Sequence, residues 1–158
     1  MSTIPPRDAW PPPPKHTAEG AALTRLVVTT LRLHAAFMEA AQDLAAEGDL
    51  TPAWWQVLGG VLDAPRPVAE IARRMGMTRQ GVQRVADLLV ERGLAEYRPN
   101  PAHRRSKLVA CTEPGYGAIR QVTIAKHPWS DRIGAAVGAR ELERASGVME
   151  RVIAALER

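Results

Sequence analysis

Residues 68–93 read VAEIARRMGMTRQGVQRVADLLVERG. Val68 to Arg74 makes two turns of helix, and Met75-Gly76-Met77 then interrupts the pattern. Glycine takes the positive φ that stops a helix inside a tight turn without steric cost. Thr78 is placed to cap a new helix, because its hydroxyl can accept from the free backbone N–H groups of the first turn. From Arg79 to Arg92 the apolar residues Val82, Val85, Ala86 and Leu89 recur at three- and four-residue steps, and Gly93 stops the run. The spacing predicts helix, three-residue turn, helix.

Beyond Gly93 the periodicity changes. Leu94 to Arg98 and Lys107 to Cys111 are short extended runs that flank the proline-punctuated insert Pro99-Asn100-Pro101-Ala102-His103-Arg104-Arg105-Ser106. That pattern fits a two-stranded hairpin, a wing beside the helix pair. On the other side, Thr51 and Pro52 open a helix through Leu62, with Trp55, Leu58 and Leu62 facing inward, and Pro65-Arg66-Pro67 punctuates the chain before Val68.

The outer segments are helical. Leu23, Leu26, Val27, Leu31, His34, Phe37, Met38, Ala41 and Leu44 follow one face of a long helix from Glu19 to Glu47. Thr112 caps a helix that buries Ile119 and Val122 and runs toward Lys126; Pro128 is expected to kink or break it. A last helix from Arg140 to Glu157 carries Leu142, Met149, Val152, Ile153 and Leu156. Residues 1–17 hold six of the 13 prolines and read as a tail. The fold class is therefore mainly α (α+β).

Length and composition agree with this. The 158 residues are one domain's worth, 46% apolar and 24% charged, so a buried core is attainable. The single cysteine, Cys111, excludes an intrachain disulfide framework and suits a reducing compartment. No basic region followed by an apolar run opens the chain, and no stretch approaches a membrane span, so a soluble, cytoplasmic protein is expected. The four histidines lie on separate segments without metal-ligand spacing, and no phosphate loop or nucleophile elbow occurs. The chain is not read as an enzyme, and no cofactor is expected.

The net charge of +4 is unevenly spread. Residues 66–107 hold ten Arg/Lys against four acids, a net of +6, which leaves the rest of the chain at −2. The basic third is also the helix-turn-helix and hairpin. A helix entering a DNA major groove meets base edges with its opening turns, which should then carry long donors and amides instead of apolar bulk. Thr78, Arg79, Gln80, Gln83 and Arg84 are that set, with Gly81 permitting close approach. Arg104 and Arg105 at the hairpin tip can enter an adjacent minor groove, with His103 and Lys107 near phosphates.

These residues resemble the MarR family of winged-helix transcriptional regulators. The match runs from Leu50-Thr51-Pro52-Ala53 through Ile71 to Gly76, Thr78-Arg79-Gln80, Arg92-Gly93-Leu94 and Asn100 to Arg105, and closes on Thr112-Glu113-Pro114-Gly115. The resemblance implies that Arg84 is the recognition-helix arginine and Arg105 the wing arginine of the minor groove. It implies a homodimer built on the terminal helices, residues 18–48 and 113–158, around a winged helix at 50–112 within a single domain, 18–158. Two recognition helices would then sit about one DNA turn apart, ~34–36 Å, on a pseudo-palindromic operator. It also implies repression of a promoter and a small aromatic or anionic effector, with His34 and Trp54 as pocket candidates. His103 stands where the family usually has Asp, and Cys111 where it commonly has Leu. Cys111 is read as a small buried hydrophobe, since a reactive thiolate needs exposure and nearby positive charge. The competing reading is a winged-helix module that binds protein instead of specific DNA; such modules usually lose the outward Arg/Gln pattern kept here.

Overall fold

The computed structural model describes residues 14–103 and 105–157. The proline-rich tail expected at 1–17 lies almost wholly outside the described residues, as does Arg104. The described residues divide into two compact units, one up to Glu39 and one from Ala40 onward.

The first unit is the larger part of one helix, α1 (Ala18–Ala46). Thr17 Oγ1 accepts from the N–H of Gly20 at its start, as the threonine side chain does at a helix N-terminus. Leu23, Val27, Leu31 and Phe37 of its apolar stripe are exposed.

The second unit begins with the last turns of α1. Gly48 follows them, where a Cβ would meet the Ala118 carbonyl and the Val122 side chain, so only glycine lets the chain pass so close. Thr51 caps α2 (Pro52–Gly59) by accepting from the N–H of Trp54. The expected extension to Leu62 does not occur. Gly60 caps α2, so Val61 takes the buried place and Leu62 is 41% exposed in the turn. Pro65-Arg66-Pro67 is more than punctuation. Arg66–Pro67 forms strand β1, which leads straight into α3 (Val68–Met75).

Gly76, with φ 62°, ends α3 in the left-handed conformation, and Thr78 opens α4 (Arg79–Glu91). Strands β2 (Ala95–Arg98) and β3 (Leu108–Cys111) form the wing. They pair antiparallel with Tyr97 opposite Val109, and β1 joins the other edge of β3 with Arg66 opposite Val109. The sheet is therefore three-stranded, ordered β1-β3-β2. The two-stranded wing gains a short third strand because the two residues before α3 already have the extended geometry that prolines impose.

Thr112 caps α5 (Glu113–Val137), accepting from the N–H of Gly115 and donating to the Gly93 carbonyl at 2.7 Å. Of the kink or break expected at Pro128, the break does not occur, and the helix runs through that residue. Pro128 and Ile124, whose carbonyl loses its partner, are both exposed, so water can take the missing bond. Gly138, at φ 96°, separates α5 from α6 (Ala139–Leu156), none of whose residues is buried.

The core of the second unit is formed by Val57 and Leu58 of α2, Ile71 of α3, Val82, Ala86 and Leu89 of α4, Val109 of β3, and Ile119 and Val122 of α5. Full burial of each large aliphatic side chain contributes about 1.5–3 kcal/mol. That core fixes which side of α4 turns outward, because Val82, Ala86 and Leu89 occupy its inner face.

Candidate nucleic-acid interface

Helix α4 is positioned by its cap and by its apolar face. Thr78 Oγ1 accepts from the N–H of Gly81 at 3.0 Å, which fixes the first turn. A Cβ at position 81 would lie 2.9 Å from that hydroxyl oxygen, so glycine here protects the cap. Thr78, Arg79, Gln80, Gln83 and Arg84 are all exposed. The side chains of Arg79, Gln80 and Arg84 make no hydrogen bond or ion pair with any described residue. Gln83 differs. Its Nε2 donates to Asp87 Oδ1 at 2.9 Å and to the Tyr97 hydroxyl at 2.7 Å, and that hydroxyl donates to Asp87 Oδ1 at 2.6 Å.

The wing tip is held by its own backbone. Asn100 accepts from Ala102 through its side chain and from the His103 N–H through its carbonyl, and the His103 carbonyl accepts from Ser106. His103, Arg105 and Lys107 are exposed. Lys107 Nζ lies 5.5 Å from the centre of the Tyr97 ring, a cation over an aromatic face. A cleft of about 420 Å³ between α4 and the wing is lined by Val68, Gln83, Asp87, Tyr97, Arg105, Ser106 and Lys107. The structure thus brings Gln83 and the wing cations Arg105 and Lys107 around one cleft. Burial, with the Asp87 carboxylate beside it, pushes the Tyr97 phenol up to about 12.

Not every basic residue of the central segment joins this surface. Arg66, counted within the basic third, is 8% exposed and bonded to Asp63, Glu70 and the carbonyls of Gly60 and Ala64. It ties α2 to the start of α3. Arg98 pairs with Glu96 on β2 at 2.6 Å. Arg92 lies 5.1 Å over the Trp54 ring, which is half-buried.

His34 is exposed on the α1 portion of the first unit. Cys111 is half-buried, and that burial pushes its thiol up, which favours the protonated form. Among the described residues no cluster of His, Cys, Asp and Glu could hold a metal ion, and no helix is long and apolar enough to cross a membrane.

Sequence reading gives Tyr97 and Asp87 no role at the site. The signal was present in the four-residue spacing of Gln83 and Asp87, which places them one turn apart on α4. Nothing local to the sequence pairs Tyr97 with either.

A family model described as MarR family matches residues 48–106, from the turn after α1 to the wing tip. The structure of NMB1585, a MarR family regulator from Neisseria meningitidis, superposes with a TM-score of 0.71 at 21% identity, covering 86% of this chain and 94% of that one. The chain belongs to the MarR family. This MarR protein is 38% identical over 135 residues to the uncharacterized protein Rv2011c of Mycobacterium tuberculosis, a match covering 85% of the chain and 94% of the relative. It also shares its fold with CouR from Rhodococcus jostii, solved bound to p-coumaroyl-CoA, at a TM-score of 0.71 and 19% identity over 80% of this chain and 90% of CouR. In MarR terms α3 and α4 are the helix-turn-helix and β2 and β3 the wing, a fold that supports a DNA-binding regulator.

Proposed function

We propose that this protein is a homodimeric, sequence-specific repressor that occupies a pseudo-palindromic operator. The observation that carries this reading is the exposed face of α4, where Arg79, Gln80 and Arg84 have no partner among the described residues and stand beside a wing bearing Arg105. Long donors left unpaired on the opening turns of such a helix match what a major groove offers, because arginine bonds guanine and glutamine bonds adenine in pairs of hydrogen bonds. Thr78 adds a hydroxyl at the same end. On the wing, Arg105, with Arg104 beside it in sequence, would enter the minor groove, while His103 and Lys107 would meet phosphates.

Dimerisation through residues 18–48 and 113–158 is supported by the apolar side chains these helices expose: Leu31 and Phe37 on α1, and Leu142, Ile153 and Leu156 on α6. A small aromatic or anionic effector would act by favouring the dimer spacing that does not fit DNA. CouR, bound to p-coumaroyl-CoA in its structure, is the precedent for that ligand class.

The experiment is selection of genomic duplexes by the full chain at moderate salt, followed by footprinting. Protection of an inverted repeat, surviving competition from bulk DNA, is the expected result. Equal binding to every duplex overturns the reading and leaves a protein-interaction module.

A further inference from the structure

We propose that Tyr97 is a positioning residue that locks the wing to the recognition helix, and that Gln83 serves this lock instead of reading a base, an assignment that rests on the DNA-binding reading above. Asp87 is a carboxylate and only accepts, so the Gln83 amide must turn its NH₂ toward it, which fixes which end of that amide faces the wing. Both hydrogens of the amide are then committed, one to Asp87 Oδ1 at 2.9 Å and one to the Tyr97 oxygen at 2.7 Å. Tyr97 completes the ring by donating to the same Asp87 oxygen at 2.6 Å.

Bidentate recognition of adenine needs one amide hydrogen and the amide oxygen together. Gln83 has the oxygen free but no hydrogen, so it would have to release Tyr97 or Asp87 to read a base. Arg79, Gln80 and Arg84 face no such competition. The geometry therefore separates α4 into a reading set and a bracing set.

The brace matters because β2 and β3 are only four residues each. Tyr97 lies on β2 opposite Val109, and its ring also carries Lys107, the residue just before β3 on the chain returning from the tip. One hydroxyl thereby ties the wing to α4, and a cation over the ring ties both sides of the wing to that hydroxyl's residue. The angle at which Arg105 leaves the wing is set by this contact.

Tyr97→Phe removes the hydroxyl and keeps the ring with Lys107 over it. Without DNA, amide hydrogens of β2 and β3 should exchange roughly three- to tenfold faster in this variant and in Gln83→Ala, with the thermal transition still cooperative. Unchanged exchange in both overturns the lock whether or not the protein binds DNA. On a selected operator, both variants should lose protection at the flanks met by the wing while keeping the central base preference. The double variant should cost no more than the worse single one, since all three groups form one network. Relaxed base preference at one central position in Gln83→Ala, with flanks intact in Tyr97→Phe, assigns Gln83 to base reading and overturns the proposal. A parent protein that selects no duplex, but whose wing still loosens in Tyr97→Phe, retains the lock and removes the operator reading alone.

Discussion

The Arg66 guanidinium grips both carboxylate oxygens of Asp63, each at 2.6 Å, while its Nε donates to Glu70 at 3.0 Å. One buried cation thus joins the turn after α2 to the first turn of α3. The Arg66 hydrogen bonds hold the Asp63 carboxyl down at about 2. The folded value lies below the unfolded one, so the contribution is fully present above the unfolded pKa and is lost as pH falls through the folded one. The stability difference between the parent and Asp63→Asn should therefore be constant at neutral pH, narrow below about pH 4, and vanish toward pH 2. Thermal midpoints across that range check it. A gap that persists unchanged at the acid end contradicts the pairing.

Two glycines on α5, two positions apart, should respond to alanine with opposite signs. At Gly115 a Cβ would collide with the Leu94 carbonyl and crowd Cys111 Sγ. Backbone cannot step aside cheaply, so Gly115→Ala should destabilise by roughly 2–3 kcal/mol, the upper part of the overpacking range. Gly117 meets nothing within 4 Å, so Gly117→Ala should stabilise by about 0.5–1 kcal/mol through helix propensity. Urea unfolding of both variants measures the pair, and the same sign for both is the contrary outcome.

Most of this fold is legible in the sequence because its signals are local. Thr51, Thr78 and Thr112 are caps that act within three residues, and Gly76 stops α3 through its own φ. The apolar period of α4 likewise names Val82, Ala86 and Leu89 as its inner face. The misreadings have non-local causes. Leu62 keeps the helical period of α2, but Gly60 ends the helix first. Pro128 is tolerated because the face of α5 on which it falls is exposed, a fact that belongs to packing and not to the residue. Arg66 looks like any other arginine of the basic segment until folding brings Asp63, Glu70 and the Gly60 carbonyl around it. At the candidate interface the exposed reading face follows from periodicity alone. Tyr97 joins it only through the pairing of β2 with β3, which no short-range pattern specifies.

Arg84 and Arg105 should fail in different ways. On the proposed reading Arg84→Ala removes a donor that would meet base edges, so operator affinity should fall by about 1–3 kcal/mol with relaxed preference at one position in each half-site. Arg105→Ala removes the cation proposed to enter the minor groove, so the loss should concentrate on operators with A/T-rich flanks, where groove potential is most negative. Binding to a panel of flank and half-site variants at fixed salt separates them. Parent-like binding in either variant removes that residue from the footprint.

The terminal helices supply the last prediction. Helix α6 buries no residue, and Leu142, Ile153 and Leu156 stay exposed, Leu156 at 79%. Met149, Val152, Ile153 and Leu156 recur at three- and four-residue steps, so they form one stripe. An apolar stripe left to water on an amphipathic helix calls for a partner, and a second copy supplies one with the same surface. Ile153→Asp places a charge in the middle of that stripe, where desolvation in a dimer would be costly and solvation in a monomer is free. Sedimentation at micromolar concentration should show the parent at twice the chain mass and the variant shifted to the monomer, with its helical content retained. Because both half-sites are held only when two copies are joined, operator affinity should fall by about 10²-fold or more while weak binding to bulk DNA survives. A variant that remains dimeric places the interface away from this stripe; a monomeric parent refutes the dimer itself.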